Sequence, residues 1–202
     1  VAGRIRCKAA LVLGSGTPAA DATEMHRVAK RHGLHLLGPN SLGFQRPALG
    51  LNASAVGPLA AAGPLALVSQ SGALTASILD WASQNAVGFS NVVSLGPNTV
   101  VDMAQVLDFL AADAQTHSIV IYLEGISSAR RFMSAVRAAA RVKPVLAIKV
   151  GRHPAGTRAV ASHTGAMVGA DDVFDAALRR AGVVRLSTLG QMFSAANALF
   201  TG

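Results

Sequence analysis

A chain of 202 residues with 51% apolar content holds enough material for one or two domains with a proper core, and none of its apolar runs reaches the roughly 18 residues that a membrane-spanning helix requires. Its single cysteine, Cys7, rules out an internal disulfide or a multi-cysteine metal site and fits a reducing, cytoplasmic setting. The net charge of +8 does not read as a nucleic-acid surface. Aromatics make up only 4% and the arginines are scattered (Arg27, Arg31, Arg130, Arg131, Arg137, Arg141, Arg179, Arg180), so a polyanionic small molecule or an acidic partner subunit is the better account.

Apolar runs bounded by Gly and Pro alternate with amphipathic stretches from end to end. Residues 9–13 read as a strand, with Cys7 packed as a small apolar residue beside it; residues 21–31 follow as a helix and 34–37 as a strand. Residues 38–63 lack a clear period, carry Pro39, Pro47 and Pro58, and read as a linker. Then come strand 65–69, helix 73–84, strand 89–95, helix 101–111, strand 119–123, helix 129–141 and strand 144–150. A loop rich in small residues containing His163 precedes helix 170–181, a short strand at 183–185 and helix 189–200.

Strands alternating with helices of about three turns predict an α/β fold with a doubly wound parallel sheet over residues 59–202. Residues 1–58 hold a single βαβ block, too small to bury its own sheet. That block reads as the close of a Rossmann-like domain whose opening is missing. In such sheets ligands gather outside the carboxyl ends of the strands, which selects the loops at 69–72, 96–102, 124–128 and 151–169.

Three of these loops carry chemistry. Ser69-Gln70-Ser71-Gly72 passes from an apolar strand straight into a helix, and its open amides, hydroxyls and glycine suit an anion. The same residues also suit a plain N-cap, with Ser69 or Ser71 capping the helix. Glu124 ends an otherwise apolar strand and requires a partner: a histidine N–H, whose tautomer it would fix, or a cation such as Arg130 or Lys149. His163 sits among small residues that let an imidazole approach a phosphate. The order Ser71, Asp102, His163 also permits a hydrolase triad, although the glycines of a nucleophile elbow are missing. His26, His32, His35 and His117 read as surface or packing residues.

Four stretches, Gly-Pro-Leu-Ala-Leu-Val-Ser-Gln-Ser-Gly-Ala-Leu at 63–74, Tyr-Leu-Glu-Gly-Ile at 122–126, Ile-Lys-Val-Gly-Arg at 148–152 and Ala-Ser-His-Thr-Gly-Ala at 161–166, resemble the NDP-forming acyl-CoA synthetases, a superfamily that includes the succinyl-CoA synthetase α subunit. The resemblance runs nearly end to end, and residues 31–43 resemble the close of that family's CoA-binding domain. It implies a flavodoxin-like ligase domain in which His163 is transiently phosphorylated, Glu124 orients it, and Ser69, Gln70, Ser71 and Gly72 cradle the phosphoryl group. It also implies that Gly38, Pro39 and Asn40 face the thiol end of coenzyme A. Two departures stand out: Ser41 replaces a frequent cysteine, and Pro97 separates Gly96 from Asn98.

No ATP-grasp stretch is recognisable, so ATP or ADP and Mg2+ are expected only with such a domain or a β-type partner subunit, in a homo- or hetero-oligomer. The alternative implied by the same resemblance is a non-catalytic, CoA-binding regulatory region of the kind found in protein lysine acetyltransferases. No metal site is expected in this chain, and no membrane or nucleic-acid partner.

Overall fold

The computed structural model describes residues 2, 4–96, 100–126, 128–150 and 171–201. The first block is as expected: β1 (Ala9–Leu11), α1 (Ala19–Arg31) and β2 (His35–Leu37) form a two-stranded parallel sheet with its crossover helix. Cys7 departs from expectation. It is exposed, its Sγ donating to the Ala9 carbonyl, because strand β1 begins only two residues later and the segment before it lies open.

The expected linker contains a hairpin. Strands β3 (Gly43–Arg46) and β4 (Leu51–Ser54) pair antiparallel around a 3-10 turn (Pro47–Leu49), and β3 joins the main sheet against β6 (Phe89–Ser94), also antiparallel. Four-residue strands leave little pattern, and the inward residue is the polar Gln45, only 1% exposed. Its amide donates to Ser54 Oγ and to the Val56 and Pro58 carbonyls, and its oxygen accepts the Ala60 N–H. A glutamine with every polar atom satisfied can occupy a core position that the sequence pattern marks as loop.

Strands β5 (Ala62–Ser69), β6, β7 (Ser118–Leu123), β8 (Val145–Lys149) and β9 (Val184–Leu186) run parallel, giving the order β4-β3-β6-β5-β7-β8-β9. Helices α2 (Gly72–Gln84), α3 (Met103–Ala112), α4 (Ala129–Ala140), α5 (Asp171–Arg180) and α6 (Leu189–Thr201) cover both faces. One core gathers Ala66, Val68, Ile121 and Ala147 with α3, α4 and α5, and the other gathers Leu67, Val120 and Ile148 with α2 and α6. Central strands buried on both sides account for the unbroken apolar runs of β5 and β7. Two of the helices begin at a capping side chain. Ser71 caps α2, and Asp102 with Gln105 forms a capping box on α3. No helix among the described residues is long and apolar enough to cross a membrane.

Candidate functional site at the carboxyl edge

Strand β5 delivers Ser69, fully buried, to the carboxyl edge beside Ser94 of β6 and Tyr122 of β7. Its hydroxyl donates to the Ser71 carbonyl at 2.9 Å and accepts the Ser71 N–H at 3.1 Å, locking the turn that leads into α2. Ser71 Oγ accepts the Leu74 N–H, so this serine does cap the helix, and its carbonyl accepts from Thr75. The N–H groups of Gly72 and Ala73 are left without an acceptor among the described residues, at the positive end of a 13-residue helix. A side chain at Gly72 would meet Leu42 Cγ at 2.9 Å, so glycine is required by packing from the hairpin side.

Gln70 works differently from its neighbours. Its amide donates to the Gly125 carbonyl at 2.9 Å, and its oxygen accepts the Glu124 and Gly125 N–H groups at 2.7 and 3.2 Å. Together with the Gln70 N–H bond to the Tyr122 carbonyl, this staples the β5 turn to the β7 turn. The staple fixes the backbone of the Glu124 turn to the turn that leads into α2. Burial, and then the charge of Glu124, push the Tyr122 hydroxyl above its ordinary pKa. On the next strand Lys149 is buried, donates to the Val150 carbonyl and lies 5.2 Å above the Phe174 ring. Burial chiefly lowers its pKa, with nearby Asp171 opposing and Arg185 reinforcing.

The first block reaches this edge through Gly38-Pro39-Asn40. Gly38 (φ 94°) passes so close to the Val12 carbonyl that a Cβ would lie 2.1 Å from its oxygen, and at Gly96 (φ 69°), just after β6, a Cβ would lie 2.6 Å from the Asn40 carbonyl oxygen. The Asn40 N–H bonds to the Gly14 carbonyl, while its side chain is exposed and without a partner among the described residues. Ser41, the departure from cysteine, is buried and structural: its hydroxyl donates to the Ser94 carbonyl and accepts the Gly43 N–H. The carbonyl of Leu36 in β2 accepts the N–H groups of Val100 and Val101, closing the seam.

Along that seam lies a cavity of about 350 Å³, within the size range of small-molecule sites. Gln70, Gly96 and Gly125 line it from the strand ends, Asp102 and Arg131 from α3 and α4, and His26 and Lys30 from α1. The sequence marks His26 as a surface or packing residue without a site role; its Nε2 is buried and lacks a partner among the described residues. The available signal was its spacing of four from Lys30, which puts both on one helical face. Asp102 spends its carboxylate on the Gln105 N–H and on Arg131, 3.2 Å away, and Ser71 spends its hydroxyl on the cap, so the hydrolase triad gains no support. His163 lies outside the described residues. No group of three or more His, Cys, Asp or Glu that could hold a metal occurs among those described.

Residues 62–199 match the family model described as the succinyl-CoA ligase like flavodoxin domain. The chain belongs to that family. The α subunit of an ADP-forming acetate–CoA ligase I from Pyrococcus furiosus is 41% identical over 87% of this chain and 38% of its own length. A 4-hydroxybutyrate–CoA ligase (ADP-forming) from Nitrosopumilus maritimus is 35% identical over 97% of this chain and 30% of its own. Among solved structures, an acetyl-coenzyme A synthetase 1 from Ca. Korarchaeum cryptofilum in complex with phosphate and ADP superposes with a TM-score of 0.93 at 32% identity, covering 98% of this chain and 44% of that one. This member of the family thus spans less than half the length of these relatives.

Proposed function

We propose that this chain is the CoA-ligase part of an NDP-forming acyl-CoA synthetase, contributing to the reaction acid + CoA + NTP ⇌ acyl-CoA + NDP + phosphate. The observation that carries the reading is the cradle at the carboxyl edge: two open amides at the start of α2, held by the Gln70 staple beside the turn that presents Glu124. Backbone N–H groups at a helix N-terminus suit a phosphoryl group bound to, or leaving, an imidazole. In this reading His163 takes the terminal phosphoryl of the NTP, releasing NDP, and passes it to the acid as acyl phosphate. The CoA thiolate then attacks the acyl carbon and phosphate leaves. Dividing one difficult exchange into such displacements is the advantage of a covalent intermediate.

Glu124 holds the imidazole in one tautomer, and Ser69, Ser71 and Gly72 shape the cradle. Gln70 serves as a positioning residue, because its amide is already committed to the Glu124–Gly125 backbone. Coenzyme A fits the seam: the carboxamide of Asn40, without a partner among the described residues, matches the amides of its pantetheine arm, with Gly38 and Pro39 shaping the turn. Residues through this turn close a CoA-binding domain, those from 59 onward form the ligase domain, and the hairpin between them ties the two. The nucleotide and Mg2+ belong to an ATP-grasp domain or β-type subunit, and the setting is cytoplasmic.

The test supplies the chain with its ATP-grasp region, on one polypeptide or as a partner, and incubates it with NTP labelled in the terminal phosphate. Acid-labile label on the wild type and none on His163→Ala is expected, with unchanged folding of the variant. A wild type that never labels, or a variant that turns over normally, refutes the phosphohistidine route in favour of a regulatory, CoA-binding role.

A further inference from the structure

Among the described residues, the 350 Å³ cavity at the seam is lined by three basic side chains, His26, Lys30 and Arg131, and one acid, Asp102. His26 and Lys30, four residues apart on α1, both line it. The Nε2 of His26 is buried without a partner, and Lys30 has no ion pair among the described residues. Arg131, also in the lining, is paired with Asp102, whose carboxylate is already used as the α3 cap. Ser128, at the start of α4, also lines the cavity and makes no side-chain cap among the described residues. Leu95, Met103 and Phe132 add buried apolar side chains to the lining. A buried nitrogen and an ammonium, both without a partner among the described residues and lining one cavity with three buried apolar side chains, call for a ligand that has a carbon chain and ends in an acceptor.

We propose that His26 and Lys30 are specificity-determining residues, and that the cavity takes the carbon chain of the acid and selects acids with a second anionic group at the far end. This rests on the synthetase reading, since the reacting carboxyl is placed at the Gln70–Gly125 end, next to Glu124. Losing a charge-assisted hydrogen bond to Lys30 weakens binding about tenfold.

Succinate, butyrate and CoA are titrated into the 202-residue chain, following amide shifts by NMR and heats by calorimetry. Succinate is expected to shift Gly96 and Gly125 and to bind about tenfold tighter than butyrate. Lys30→Met removes that preference and Lys30→Arg restores it; Lys30 is exposed, so melting temperatures stay level. The proposal is overturned if wild type binds the two acids equally or binds neither. It is also overturned if Lys30→Met weakens CoA and leaves succinate unchanged, which assigns the cation to the phosphates of CoA. His163 labelling is scored separately: labelling without acid preference sinks only this proposal, and preference without labelling sinks only the synthetase reading.

Discussion

Replacing Gln70 by Met tests whether the two strand-end turns are held as one unit. Methionine keeps the unbranched length and most of the volume, so packing is preserved while three hydrogen bonds of 2.9, 2.7 and 3.2 Å disappear. A neutral bond contributes about 1 kcal/mol, and a buried backbone group left without a partner costs about 1–3 kcal/mol. Gln70 is only half-buried, so water refills part of the vacated side, and the expected loss is about 2–3 kcal/mol rather than the full sum. For a chain of this size that lowers the melting midpoint by roughly 4–12 °C.

Guanidinium denaturation measures the loss as a shift in midpoint at unchanged slope, and hydrogen exchange of the Glu124 and Gly125 amides locates it. Gln70→Glu sharpens the test, because it keeps an acceptor for the two amides but sets a carboxylate against the Gly125 carbonyl; it should be nearly as damaging as Met. A loss below about 0.5 kcal/mol, with exchange at Glu124 and Gly125 unchanged, would refute the staple. In the completed enzyme, labelling of His163 should slow in Gln70→Met while nucleotide affinity stays constant.

Inorganic phosphate titrated into the chain should move the Ser71, Gly72 and Ala73 amide signals at millimolar concentration, and static signals would count against the cradle. Gly96→Ala places a Cβ 2.6 Å from the Asn40 carbonyl oxygen at φ 69°, where neither backbone can yield cheaply, so a loss of about 2 kcal/mol or more is expected from thermal melts. For Asp113, burial pushes the carboxyl up, but bonds from Thr116 and Asn91, the Arg46 charge and the Gln115 amide outweigh it and leave the group below its ordinary value. A carboxyl with a depressed folded pKa stabilises the fold above its unfolded value of about 3.9 and loses that contribution as pH falls through the folded one. Asp113→Asn should therefore be less stable at neutral pH and show a flatter acid limb between about pH 5 and 2.

The parallel sheet was legible because its central strands are buried on both faces, which writes unbroken apolar runs such as Leu65–Val68 into the chain. Helix starts were legible within a residue or two wherever a capping side chain marks them, as Ser71 does for α2. The β3–β4 hairpin was not, because its strands are four residues long and Gln45 hides a core position behind a polar side chain. At the site, Ser71 could be read as a cap or an anion ligand, and the structure shows the cap while leaving the next two amides open. Gln70 looked like a ligand because a glutamine in a strand-to-helix turn does not reveal whether its amide points at a ligand or at a neighbouring turn. His26 was passed over because its significance comes from α1 lying across the carboxyl edge of the other sheet, a tertiary fact that α1 alone does not encode.

The two ends of the main sheet treat polar groups in opposite ways. At the amino end, Asp113 receives Arg46, Asn91 and Thr116, Ser90 shares a hydrogen bond with Thr116, and Lys143 donates to the Leu110 and Asp113 carbonyls. Arg46 Nε lacks an acceptor there, yet the same guanidinium is paired with Asp113 and lies 5.3 Å over the Phe109 ring. That end is a closed network whose groups answer one another, and it anchors the hairpin to the sheet. At the carboxyl end the Gly72 and Ala73 amides, the Asn40 carboxamide, His26 Nε2 and Lys30 all stay unanswered among the described residues. Folding stability alone would favour satisfying the buried ones, since each costs free energy while open. Their concentration at the one edge where a doubly wound sheet binds ligands is the expected cost of a site kept ready for anions and acceptors.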